Sequence, residues 1–224
     1  MIAGTRRRGE ADREHSIVPM IVTDFPVLTR SKRISPKTLA VLKCVDTLIV
    51  RRSKATETLL TQIGDTELAS LPQAVEDACG PNHPELAKVL HKIAVLYHST
   101  YSIGKAEIAY RNALACAEKA FPQPTLEVGL LLNNFGRLLH EQRKLPEAAE
   151  MYERSLQVLK QAVGPYHRKL GTPMSNLADL YMETGKPELS RALLQDLIVL
   201  LKMTLGANHR RVVKAQERLA LLGQ

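Results

Sequence analysis

The sequence predicts an all-α solenoid of antiparallel helix pairs, on three observations. First, the motif Gly-x-x-His occurs in one frame, at Gly80 to His83, Gly164 to His167 and Gly206 to His209. The last two copies lie 42 residues apart, and the first precedes the second by two such periods. At the skipped position stands Pro122-Gln123-Pro124-Thr125, a turn-forming stretch that has lost the Gly and the His. Second, small residues recur at the same period: Ala94, Gly136, Ala178 and Ala220, then Ala106, Ala148 and Ser190. Third, large apolar residues follow them at helical spacing, as in Ile93, Phe135, Leu177 and Leu219, or Tyr110, Tyr152 and Leu194. A fixed period of this length marks a stacked array, in which each unit buries its apolar face only against its neighbours.

Each unit reads as two helices that approach closely where the side chains are short. First helices are expected over 84–99, 125–141 and 171–184, and second helices over 104–120, 145–162 and 187–204. Pro84 and Pro146 suit a first helical turn, where a missing N–H loses nothing. Gly164 and Gly206 suit left-handed closure of the preceding helix. A last helix, 208–222, is a first helix without its second and covers the end of the stack. The units are accordingly 80–121, 122–163 and 164–205, with a capping segment 206–224. Ahead of them, 36–79 is expected to hold a helix from Ser35-Pro36 to about 52, another over 54–63, and a third over 66–79 interrupted by Pro72. That makes it at best a degenerate repeat.

His83-Pro84-Glu85-Leu86-Ala87, Leu131-Leu132-Asn133-Asn134-Phe135-Gly136 and Glu147-Ala148-Ala149-Glu150-Met151-Tyr152-Glu153-Arg154-Ser155-Leu156 carry a resemblance. They resemble the tetratricopeptide repeats of the kinesin light chain type, whose unit is 42 residues rather than 34. The resemblance covers 80–224 and implies a right-handed superhelix whose first helices line a concave groove for extended peptides. The chain shows no heptad segment of the kind that joins a light chain to its motor, so it is not read as a motor subunit.

Residues 1–35 differ in kind. Arg6-Arg7-Arg8 and Arg30-Ser31-Lys32-Arg33 bracket an aperiodic stretch with a net charge of +3, read as a disordered basic arm. Cys44, Cys79 and Cys116 are odd in number, lack metal-type pairing, and read as buried small hydrophobes in a reducing compartment. No stretch reaches membrane-spanning length, and Pro19, Asp24 and Pro26 break the best signal-like segment. The expected location is the cytoplasm, with the nucleus as the alternative.

No nucleophile–base pair, phosphate loop, paired carboxylates or metal set is found, so no enzyme, cofactor or metal is expected. His83, His167 and His209 occupy equivalent turns of successive units, too far apart to share one zinc ion with ligands about 2 Å from the metal. They are expected to hydrogen-bond within their own turns. His91 and His98 lie seven apart on one helix face, and His140 stands one period after His98; of two readings, a polar strip in the groove and a plain surface strip, the second is favoured.

In the family, the two residues before the Leu-Ala pair of each first helix are commonly Asn-Asn, and their amides bind the backbone of a peptide. The resemblance transfers the first of the pair to His91, Asn133 and Ser175, and the second to Lys92, Asn134, Asn176 and Arg218. One turn later on the same face come Val95, Arg137 and Asp179. The competing reading has Asn133 and Asn134 merely satisfying neighbouring backbone or water. Lys92, Arg137 and Arg218 add positive charge, and the whole chain carries a formal +8. An acidic linear motif of a partner protein is the expected ligand. Two alternatives stand: a nucleic-acid-binding array that contacts phosphates, and a structural subunit of a larger assembly. Three Phe and six Tyr offer little for base stacking.

Overall fold

The computed structural model describes residues 28, 33–36, 38–42 and 65–222. Within 65–222 it contains α1 (Asp65–Cys79), α2 (Pro84–Ser99), α3 (Ile103–Ala120), α4 (Leu126–Glu141), α5 (Leu145–Val163), α6 (Gly171–Glu183), α7 (Pro187–Leu205) and α8 (Arg210–Leu221). A 3-10 turn, Arg168–Leu170, leads into α6. No strand occurs among the described residues. The pairs α2/α3, α4/α5 and α6/α7 are antiparallel hairpins, with α1 against α2 and α8 against α7. The chain is an all-α solenoid, and the array helices fall within one or two residues of the bounds expected from the 42-residue frame.

Local chemistry explains where each helix starts. His83 Nδ1 accepts the N–H of Glu85, His167 Nδ1 that of Lys169 and His209 Nδ1 that of Arg211, each at 3.2 Å. The recurrent histidines are therefore N-caps that satisfy otherwise orphaned donors. The unit lacking Gly-x-x-His keeps the cap by other means: Thr125, in the histidine's register, accepts the N–H of Val128 through Oγ1 at 3.3 Å. Pro173 can make no helical N–H bond, and the first turn of that helix is the 3-10 piece instead.

Tight turns close the hairpins. Tyr101, Arg143 and Gly185 occupy equivalent positions and all have positive φ, at 58°, 63° and 68°. Each turn shows the paired bonds of a Schellman motif, for example Ser102 N–H to Tyr97 C=O at 2.9 Å and Tyr101 N–H to His98 C=O at 3.2 Å. Gly164 and Gly206 end their helices with φ of 88° and 89° but ψ of 162° and 155°. This corrects the expected left-handed helical closure. The chain leaves in an extended, glycine-only conformation that sends it out to the next cap.

The core is a ribbon through the stack. Tyr110 and Tyr152 are fully buried, as are Ala94, Ala106, Ala148, Ala178 and Ser190 of the small-residue columns, while Ala220 at the end of the stack is exposed. A Cβ on Gly136 would sit 2.9 Å from the Tyr152 ring, and one on Gly129 would sit 2.5 Å from Leu159 Cγ. The expected break at Pro72 does not occur: α1 runs continuously through it, pinned by buried Leu68, Leu71 and Val75. Hydrophobic burial of those three side chains outweighs the loss of one backbone bond. Leu28 and Leu42 are also buried in this core cluster. The rest of the expected arm 1–35, apart from 33–35, lies outside the described residues. So do the expected helix 54–63, most of the helix from 36 to 52, and Cys44. Burial raises the thiol pKa of Cys79 and of Cys116, in keeping with their packing as small apolar groups.

Candidate functional site

The residues singled out for the groove come together as a polar ladder between successive first helices. Asn134 Nδ2 on α4 lies 3.1 Å from His91 Nε2 on α2. Asn176 Nδ2 on α6 donates to Asn133 Oδ1 on α4 at 3.0 Å. Arg218 Nη1 on α8 donates to Ser175 Oγ on α6 at 2.8 Å. Each rung joins residues 43 apart, so four first helices are tied in series. Asn133 Nδ2 also donates to Asn134 Oδ1 at 3.3 Å, which links two rungs into one relay running Asn176, Asn133, Asn134, His91. Each amide in it donates in the same sense, from Asn176 to Asn133 to Asn134, and His91 is left as the terminal acceptor.

Burial divides the set. His91, Lys92, Val95, Asn133 and Asn134 are buried, the last three at 6%, 2% and 7% exposure. Ser175, Asn176, Arg137 and Arg218 are half-buried, and Asp179 is exposed. The relay thus satisfies its amides inside the stack in the N-terminal units, and its accessible members lie towards the C-terminal end. Burial, helped by the adjacent Lys92 charge, pushes His91 down to about 3 and keeps it neutral, as an acceptor must be.

A second row of rungs runs along the other end of the same helices. His98 Nε2 meets Glu141 Oε2 at 2.9 Å, and His140 Nε2 meets Glu183 Oε1 at 3.0 Å, again 43 residues apart. Arg137 Nη2 lies 3.3 Å from His98 Nδ1, and Arg218 pairs with Asp179. Asp179's carboxyl is raised by partial desolvation among its neighbours, opposed by the Arg218 charge, although its outer edge is open to solvent. The expected histidine strip is therefore built into the stack, with His98 itself buried.

One polar hub has no counterpart among the expected residues. Glu107 on α3 accepts from Lys144 Nζ at 2.8 Å, Arg111 Nη2 at 2.8 Å and Gln142 Nε2 at 2.9 Å. Those bonds, led by Lys144, hold its carboxyl down at about 2 and fasten the α4–α5 turn to the preceding hairpin. Only the i, i+4 pair Glu107/Arg111 signals it in the sequence. Among the described residues no group of three His, Cys, Asp or Glu converges as a metal site, and no helix is long and apolar enough to cross a membrane.

Residues 127–202 match the family model of the tetratricopeptide repeat. That stretch is built of tetratricopeptide repeats. The fold is that of two crystal structures of a putative kinesin light chain with nearly identical TPR-like repeats from Podosopora anserina, one of them a point variant. The variant superposes with a TM-score of 0.69 at 16% identity, covering 84% of this chain and 87% of that one. The other gives 0.67 at 16%, covering 82% and 85%. BtubC (BKLC) from P. vanneervenii gives 0.55 at 19%, covering 82% of this chain and 65% of that one. At these identities the similarity is one of fold. By sequence, no curated protein matches. The kinesin light chain type of repeat expected from the motifs agrees with these neighbours. Tetratricopeptide arrays generally mediate protein–protein contact and are typically non-catalytic scaffolds.

Proposed function

We propose that this chain is a non-catalytic scaffold that holds an extended acidic segment of a partner protein along the concave face of its first helices. The observation that carries the reading is the division within the ladder. His91, Lys92, Asn133 and Asn134 are buried, whereas Arg137, Ser175, Asn176, Asp179 and Arg218 are half-buried or exposed. A carboxamide beside guanidinium groups suits a peptide backbone and an acidic side chain together. The formal charge of +8 adds long-range attraction for an acidic ligand. Glu141 and Asp179 already neutralise part of the row, so the ligand's carboxylates exchange with them for Arg137 and Arg218. Phosphate binding of nucleic acid has less support: Tyr110 and Tyr152 are fully buried, Tyr97 and Tyr181 are half-buried packing residues, and the exposed Tyr101 and Tyr166 stand singly in separate turns.

Fluorescence anisotropy with two labelled peptides, one rich in Asp and Glu and its Lys-substituted counterpart, tests this reading. The acidic peptide is expected to bind more tightly, less so at high salt, and to be weakened by Arg137→Glu and Asn176→Ala but not by Gln157→Glu on the exposed face of α5. Preference for the Lys peptide, or equal loss in all three variants, would overturn it.

A further inference from the structure

The convex face of α7 breaks the pattern of the two second helices before it. Leu189, Ala192, Asp196, Val199 and Met203 form one exposed stripe at alternating spacings of three and four. Leu189 is 50% exposed, Val199 53% and Met203 64%. The same five registers of α5 hold Glu147, Glu150, Arg154, Gln157 and Gln161, and those of α3 hold Lys105, Ile108, Asn112, Ala115 and Lys119, so α7 has four apolar residues where α3 has two and α5 none. In α5 that stripe takes part in ion pairs along the convex surface, Glu147 with Arg111 and Arg154 with Glu118. Units that share one frame share the same demands from packing, so packing does not account for an apolar stripe that runs the length of α7 but is broken by Lys105, Asn112 and Lys119 in α3 and absent from α5. Spacings of three and four are those of a seam along which a second helix lies.

We propose that the convex face of α7 docks an amphipathic helix of a partner protein that carries a lysine or arginine at the centre of its apolar face. Asp196 sits midway along the seam, with two apolar residues on each side. A buried carboxylate in a helix–helix seam demands a cation opposite, and it fixes register by excluding helices that lack one. The same residue argues against a second copy of this chain, because a two-fold contact along the stripe sets Asp196 against its own symmetry mate. This face is opposite the first-helix face, so the proposal stands apart from peptide binding there.

Two synthetic helical peptides of three heptads, with leucine along the seam and either Lys or Glu at its centre, provide the probe for the full chain. The Lys peptide is expected to bind about tenfold more tightly than the Glu peptide, through its complementary charge. Asp196→Lys should reverse that order, and Val199→Glu with Met203→Glu should abolish binding of both, while Gln157→Glu leaves it unchanged. Equal binding of the two peptides, or binding that survives the paired Glu substitutions, would overturn the proposal. So would a dimer of the chain alone, by sedimentation equilibrium, that Val199→Glu disperses.

Discussion

Asn134 on α4 donates through Nδ2 to His91 Nε2 on α2, 3.1 Å away, and both side chains are buried. That bond requires the neutral tautomer of His91 with its proton on Nδ1. It also leaves the Asn134 carbonyl for Asn133, which in turn accepts from Asn176. One chain of bonds thus crosses three first helices, and removing any member strands its neighbours in the stack.

Asn134→Ala is therefore expected to destabilise the protein as well as to alter the groove. It leaves His91 Nε2 and an Asn133 N–H without partners in a dry site, which costs about 1–3 kcal/mol. The urea midpoint should fall with an unchanged slope. A midpoint equal to that of the parent would mean that the amide is solvated.

Acid should weaken the fold through His91. Its folded pKa, about 3, lies below the ordinary histidine value of 6.5, so its contribution is complete above 6.5 and is lost as pH falls towards 3. Glu107, held at about 2 against 4.5, adds to the loss at lower pH. Urea midpoints at pH 7.5 and pH 5 should differ less in His91→Gln than in the parent. Equal slopes against pH would show that His91 does not carry the dependence.

Close packing makes two glycines sensitive to any side chain. Gly129→Ala and Gly136→Leu should each lower stability by about 1–3 kcal/mol, because the added atoms overlap Leu159 and Tyr152. Gly104→Ala, with nothing within 4 Å of an added Cβ, is the control and should lose nothing by overlap. Thermal melts of the three variants give the comparison.

In contrast, Tyr101→Gly should stabilise. Tyr101 is 81% exposed and holds a φ of 58°, where a side chain costs about 1–2 kcal/mol and glycine does not. Arg143→Gly relieves the same strain but loses the contact of Arg143 with Glu183, so its gain should be smaller. A lower melting temperature for Tyr101→Gly would show that the turn is held by the ring.

The fold was legible because every unit repeats the same packing demand. Ala94, Gly136 and Ala178 mark close approach, and Gly164 and His167 mark an end and a start. The cap at Thr125 was missed, because the expected helix already began at 125, although the hydroxyl stands one period after His83 and accepts in its place. The ladder was only half legible. The frame aligns position 133 with 91 and 175, but the stacked helices pair 134 with 91 and 176 with 133. That offset of one residue comes from how neighbouring first helices lie on one another, which the frame does not encode. It turns Asn133 and Asn134 towards adjacent helices and leaves Asn176 and Arg218 nearer the surface. The α7 stripe was present in the same frame, yet exposure decides its meaning, and exposure depends on the fold.

If one relay of bonds joins the first helices, His91 and Asn134 are energetically coupled, and a double-mutant cycle on His91→Ala and Asn134→Ala measures that coupling. Denaturation of the parent, both single variants and the double variant should give a coupling energy of about 1 kcal/mol, because the second substitution removes a group that the first has already stranded. Losses that add to within about 0.3 kcal/mol would mean that the two side chains do not share a bond.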